Sequence, residues 1–265
     1  MTTDLHWAHL DGISIRYTDN GKQGRPLLLL HEMGGSLESW GGVLAALPPR
    51  QRIIRCDMRG AGGSEKIRRE VSCDVFADDV AKLLDHLKVP EADVAGVAIG
   101  GCIGLNLAAR YPARVKKLVP INPPTDAAGR AGEVLRERAR LTDEQGMRGV
   151  VDAALARSYP ELLRGDRQAY DAYVARFITN DPTSYAHVLR ALLAVDFTPL
   201  WSLITAPVLF AAGTHDLVRT PAATKAAAGQ VPRADFLEIE GGHIPSVQAP
   251  DALARILVDY FELHA

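Results

Sequence analysis

The stretch Asp93-Val94-Ala95-Gly96-Val97-Ala98-Ile99-Gly100-Gly101 decides the fold. Asp93–Val97 reads as a strand buried on both faces, because the run is apolar without alternation. Gly100–Tyr111 reads as a helix that Pro112 stops. A strand that turns this tightly into a helix pushes one side chain, here that of Ala98, out above the sheet. Gly96 and Gly100 remove the side chains that would collide in the turn, and Gly101, Gly104 and Ala108 let the helix press close to the strands.

The same pattern extends in both directions. Leu5–Leu10 and Ile13–Thr18 are short extended runs joined at Asp11-Gly12, a hairpin signal. Pro26–His31 and Arg52–Asp57 are further buried strands, with a helix expected over Leu37–Leu47 between them. Phe76, Val80, Leu83, Leu84 and Leu87 predict a helix over Val75–Leu87, with Asp78, Asp79, Lys82 and Asp85 on its wet face. Val115–Asn122, Pro207–Ala212 and Asp235–Ile239 complete the strands, and Ala252–Leu263 closes the chain as a helix. Strands alternating with helices imply an α/β fold with a mostly parallel, twisted sheet flanked by helices. Residues 125–200 interrupt the alternation with helical stretches only. The expected division is therefore a core of 1–124 and 201–265 with a helical cap of 125–200.

Composition narrows the function classes. The 265 residues carry a net charge of −2, which argues against nucleic acid or an anionic membrane as the main partner. Apolar residues at 47% and charged residues at 23% suit a packed domain rather than a disordered chain. Cys56, Cys73 and Cys102 are odd in number and form no C-x-x-C pair, so neither a disulfide framework nor a structural zinc is expected. Met1-Thr2-Thr3-Asp4-Leu5-His6 lacks the basic and apolar regions of a signal peptide, and no apolar run is long enough to span a bilayer. A cytoplasmic location is expected. No P-loop, dinucleotide fingerprint or ligand cluster implies a cofactor or metal, and a homodimer stays open.

Four motifs fall in order at strand ends. These are His31-Glu32-Met33-Gly34-Gly35, Asp57-Met58-Arg59-Gly60-Ala61-Gly62-Gly63-Ser64, the Gly96–Gly100 turn, and the pair Gly213-Thr214-His215-Asp216 and Gly241-Gly242-His243. Together they resemble the α/β-hydrolase family over nearly the whole chain, and within it the small 3-oxoadipate enol-lactonase-like hydrolases. The resemblance makes Gly96–Gly100 the nucleophile elbow, G-x-S-x-G, and Asp216 and His243 the acid and the base. It also makes the backbone amides of Met33 and Ile99 the oxyanion hole. Ile99 opens a helix, whose dipole favours developing negative charge.

The departure is at the elbow, where Ala98 replaces the nucleophile. A methyl group cannot attack a carbonyl, so an acyl-enzyme route is closed. Three readings are open. Ala98 stands where a serine was replaced, leaving a hydrolase of small esters or lactones. Alternatively Ala98 is native and a His243–Asp216 dyad takes a proton from water or substrate, as in a Ser-independent lyase, decarboxylase or cofactor-free oxygenase; methylketone synthases and cofactor-free dioxygenases of this fold are precedents. In the third, the chain is a non-catalytic ligand-binding protein on the same fold.

Neighbouring residues have plainer readings. Asp126 is a reserve acid, His215 a bystander, His31 a support for the oxyanion loop, and Cys102 a small buried apolar group. Glu32 stands where the family has glycine, and its carboxylate is expected to turn away and bond the backbone of its own loop. Arg130, Arg136, Arg138, Arg140, Arg157 and Arg164 are mostly a solvated face, although any could meet a carboxylate. Tyr159, Tyr170, Tyr173 and Phe177 are candidate apolar walls for a small carbonyl substrate.

Overall fold

The structure is a computed structural model that describes residues 4–126 and 130–263. Met1–Thr3, part of the expected lead into the insertion (127–129), residues 264–265 and the side chain of Arg130 lie outside the described residues. The strands are β1 (His6–Leu10), β2 (Ile13–Asp19), β3 (Leu27–Leu30), β4 (Ile53–Cys56), β5 (Ala92–Val97), β6 (Val115–Ile121), β7 (Val208–Gly213) and β8 (Ala234–Ile239). They form one sheet in the order β1-β2-β4-β3-β5-β6-β7-β8. β1 pairs antiparallel with β2, and β2 with β4; every other neighbour is parallel. The β1–β2 turn has positive φ at both Asp11 (44°) and Gly12 (87°), the mirror-image turn whose twist matches a hairpin.

The helices are α1 (Gly41–Ala46), α2 (Cys73–His86), α3 (Ile99–Arg110), α4 (Arg130–Ser158), α5 (Arg167–Ile178), α6 (Pro182–Leu192), α7 (Pro221–Ala228), α8 (Pro245–Gln248) and α9 (Pro250–Phe261). The period-2 alternation of β3 sorts its leucines between two cores. Leu28 and Leu30 join the cluster of α2 and α3, which includes Phe76, Leu84 and Ile103. Leu27 and Leu29 join Trp40, Leu253, Leu257 and Phe261 on the opposite face. Residues of α4, α5 and α6, such as Val150, Tyr173 and Leu189, share that second cluster with Val97, Ala98 and Ile121. The helices between β6 and β7 therefore lie over the strand ends that carry the elbow. α4 changes direction at Gly146, where φ is 67°. Among the described residues no helix is long and apolar enough to cross a membrane.

Two expectations are corrected, and one helix falls outside them. The helix expected over Leu37–Leu47 is a 3-10 turn, Leu37–Trp40, followed by the short α1, because Gly41-Gly42 at the junction support a helix poorly. Asp79 is not on the wet face of α2: it is 6% exposed and takes two hydrogen bonds of 2.5 Å from the Arg59 guanidinium. α7 was not expected; Thr220 caps it, with Pro221 at its first position.

Candidate active site

Ala98 sits between β5 and α3 at φ 51° and ψ −116°. This is a left-handed backbone that a residue with a Cβ adopts only when its surroundings impose it. They do so here by close approach. A Cβ at Gly96 would lie 2.2 Å from the Gly100 carbonyl oxygen, and one at Gly100 would lie 2.3 Å from that of Leu30. The Ala98 N–H donates to the Ile121 oxygen at 2.8 Å, and the Ala98 carbonyl accepts from Cys102 N at 3.1 Å.

The Ala98 methyl, Met33, Ile99 and His243 line one cavity of about 900 Å³, with α4, α5 and α6 supplying the opposite wall. Asp216 lies behind His243. Its Oδ2 is 2.7 Å from His243 Nδ1, and its Oδ1 accepts from the backbone N–H groups of Val218 at 2.6 Å and Arg219 at 2.9 Å. The Asp216 carboxylate is wholly buried and the His243 ring is 13% exposed. A carboxylate only accepts, so Nδ1 supplies the proton of this bond, and Nε2 is the ring nitrogen that Asp216 does not engage.

Two side chains absent from the sequence reading hold these loops together. Asn122, fully buried at the end of β6, donates from Nδ2 to the carbonyls of Gly242 and His243, both at 3.1 Å. Its Oδ1 accepts from Gly213 N at 2.9 Å. Gln248 Oε1 accepts from Gly242 N and Ile244 N at 3.0 Å each, while its Nε2 donates to Ser158 O at 2.8 Å. The acid loop, the histidine loop and α4 are thus tied by two amides. No local pattern marks either residue; each matters through what the fold brings to it.

The remaining candidates separate clearly. Asp126 accepts from Arg219 Nη2 at 2.8 Å, whereas the His243 ring is paired with Asp216. His215 bonds Glu240 on the exposed side of its loop. Buried His31 donates from Nδ1 to the Glu32 carbonyl at 2.7 Å and accepts from Met58 N at Nε2 at 3.0 Å, so both nitrogens are used in tying loops. Cys102 is fully buried, and its contact with Cys73 together with burial pushes the thiol well above its ordinary range. Asp57 holds its own loop, accepting from Leu37 N at 2.8 Å, Gly63 N at 2.7 Å and the Arg16 guanidinium.

Glu32 departs from expectation. Its carboxylate does not bond its own loop's backbone. Oε1 accepts from Ser39 Oγ at 2.7 Å, the Tyr173 hydroxyl stands beside the carboxylate, and the residue is 1% exposed on the cavity wall. A Cβ at Gly35 would lie 1.9 Å from Oε1, so the loop leaves room for this carboxylate.

Of the expected apolar walls, Tyr173 and Phe177 line the cavity, and Tyr185 joins them. Tyr159 and Tyr170 pack on each other instead, with ring centres 5.1 Å apart. Arg138 and Arg157 reach the cavity. Arg140 pairs with Glu137 and Glu144 at the surface, and Arg164 donates to Tyr159 O.

Comparison with known proteins identifies the family. The family model described as alpha/beta hydrolase fold matches residues 25–250. The chain is 28% identical over 244 residues to 3-oxoadipate enol-lactonase 2 of Acinetobacter baylyi, covering 91% of this chain and 90% of that one. It is 31% identical over 261 residues to the Azorhizobium caulinodans protein named "Putative carbamate hydrolase RutD", covering 97% and 98%. The crystal structure of the enol-lactonase from Burkholderia xenovorans superimposes with a TM-score of 0.91 at 28% identity, covering 97% of this chain and all of that one. A strained strand-to-helix turn, an aspartate–histidine pair behind it and a match spanning most of the sequence lead to one conclusion: the chain belongs to the alpha/beta hydrolase fold family of enzymes.

Proposed function

We propose that the chain hydrolyses a small lactone, ester or carbamate by attack of water rather than through an acyl-enzyme. The observation that carries this reading is the His243 Nδ1–Asp216 Oδ2 bond of 2.7 Å, which leaves Nε2 free as a base on a cavity wall shared with the Ala98 methyl. Relatives named for enol-lactone and carbamate hydrolysis support the substrate class. In this mechanism His243 Nε2 takes a proton from water as the oxygen attacks the carbonyl carbon. Asp216 holds the resulting imidazolium, and the imidazolium returns the proton to the leaving oxygen or nitrogen. The Met33 and Ile99 amides receive the developing oxyanion, each such donor being worth about 10²–10³ in rate. The helices α4–α6 act as a cap that sets substrate size.

A second reading draws on Ala98 alone. Without a nucleophile, the same dyad can take a proton from the substrate and serve a lyase, decarboxylase or cofactor-free oxygenase. One screen separates the readings: single-turnover reactions with enol-lactones, simple esters and carbamates in ¹⁸O-labelled water. Water attack places one label in the acid product, and His243→Ala lowers the rate by about 10²–10⁴. Cys102→Ala stays within a few-fold. Turnover without label would overturn hydrolysis, and ligand binding without any product would overturn an enzymatic role.

A further inference from the structure

We propose that the cap helix α5 positions the Met33 amide, with Arg176 and Asn180 as the positioning residues. The proposal rests on the reading above that this amide receives the oxyanion. Glu32, Met33, Gly34 and Gly35 form one tight turn, closed by a bond of 3.1 Å from Gly35 N to Glu32 O. Gly34, third in the turn, has φ 87°, the sign and size a type II turn requires there. The closing bond uses only the first carbonyl and the last N–H. The Met33 N–H takes no part in it, and Met33 lines the cavity. Where that N–H aims is set by how the turn is held.

α5 and its exit hold the turn from outside. At the first residue of the turn, the Arg176 guanidinium donates to Ser39 Oγ at 3.1 Å, and Ser39 Oγ donates to Glu32 Oε1 at 2.7 Å. The Tyr173 hydroxyl stands beside the same carboxylate; burial and the Glu32 charge raise it well above its ordinary range, so it stays protonated. At the third residue of the turn, Asn180, just past the end of α5, donates from Nδ2 to Gly34 O at 2.9 Å. The same Nδ2 bonds Arg176 O at 3.0 Å and Phe177 O at 3.1 Å, so the turn and the end of α5 share one amide. The Phe177 ring closes over the turn: a Cβ at Gly34 would lie 2.5 Å from its Cδ2. Glu32 is 1% exposed, and Arg176 meets its charge through Ser39. Without Arg176 that buried charge loses its cation, and the turn must shift to let water reach it. Tyr173 and Phe177 also line the cavity. A substrate packed on them bears on the helix that aims the amide, so contact away from the reacting carbonyl is turned into rate rather than affinity alone.

The test reads the amide through a bound carbonyl. Acetophenone labelled with ¹³C at its carbonyl is added to the full chain. Its dissociation constant is measured by ligand-observed NMR and its stretching band by isotope-edited infrared spectroscopy. Donors seated on the oxygen lower that band, so in the wild type it should lie below its position in hexane. In Arg176→Met and in Asn180→Ala the band should move part of the way back, while the dissociation constant rises about 2–10-fold, one lost hydrogen bond. The Ile99 amide belongs to α3 and keeps the remainder of the shift. A band that stays at the wild-type position in folded variants overturns the positioning role and leaves the hole standing. A wild-type band at its hexane position overturns Met33 and Ile99 as the hole, and no binding overturns the cavity as a carbonyl site; the proposal falls with either. Failure of both variants to fold makes these contacts purely structural and overturns it too.

Discussion

Replacing Asn122 tests how the acid and histidine loops are held. Its side chain makes three hydrogen bonds, two to the Gly242 and His243 carbonyls at 3.1 Å and one from Gly213 N at 2.9 Å. At roughly 1 kcal/mol net each, Asn122→Ala removes about 3 kcal/mol. Asn122 also sits at φ 50°, where a residue with a Cβ other than Asn or Asp costs about 1 kcal/mol more. The sum is about 4 kcal/mol, which lowers the unfolding midpoint by roughly 8–16 °C for a chain of this size. Asn122→Gly deletes the same three bonds without the backbone penalty and should be about 1 kcal/mol more stable than Asn122→Ala. Thermal unfolding followed by far-ultraviolet circular dichroism measures both variants. A loss below about 1 kcal/mol for the alanine variant, or a glycine variant less stable than it, would refute the clamp.

Two further outcomes are expected. Ala98→Ser should lower turnover on the natural substrate and give no burst of acyl-enzyme, because a hydroxyl there competes with water for His243 Nε2; a burst with a large esterase gain would sink the water-attack mechanism. Asp93 is buried, with Oδ1 lacking a partner, and burial holds its carboxyl above the ordinary range despite the Arg25 ion pair. The folded chain therefore keeps this proton to higher pH than the unfolded chain, and the stability it supplies is full at acid pH and lost as pH rises through the folded value. The stability of Asp93→Asn relative to wild type should then climb as pH rises above the ordinary aspartate range in urea titrations, and a flat or falling difference would contradict the assignment.

The centre of the sheet was legible because β3, β5 and β7 are short runs buried throughout and the turn after β5 carries glycines, Gly96 and Gly100, where the chain passes too close for a side chain. The family resemblance carried by the four motifs named Ala98, Asp216, His243, Met33 and Ile99; His243 bonds Asp216 and shares one cavity with Ala98, Met33 and Ile99. What escaped was set by tertiary contact. Asp79 looks like a solvated helix charge until the Arg59 loop folds over it. Glu32 depends on Ser39, which a 3-10 turn rather than an α-helix brings within reach. α7 had a legible start at Thr220-Pro221, but its alanine-rich body shows no apolar stripe to read.

The backbone of Ala98 also bears on how this chain could change over generations. Alanine and serine codons differ at a single first base, and the φ of 51° and ψ of −116° that a serine would need at the elbow are already in place. One nucleotide and one oxygen atom separate the chain from a family member with a hydroxyl above its sheet. No loop has to be rebuilt and no strand moved.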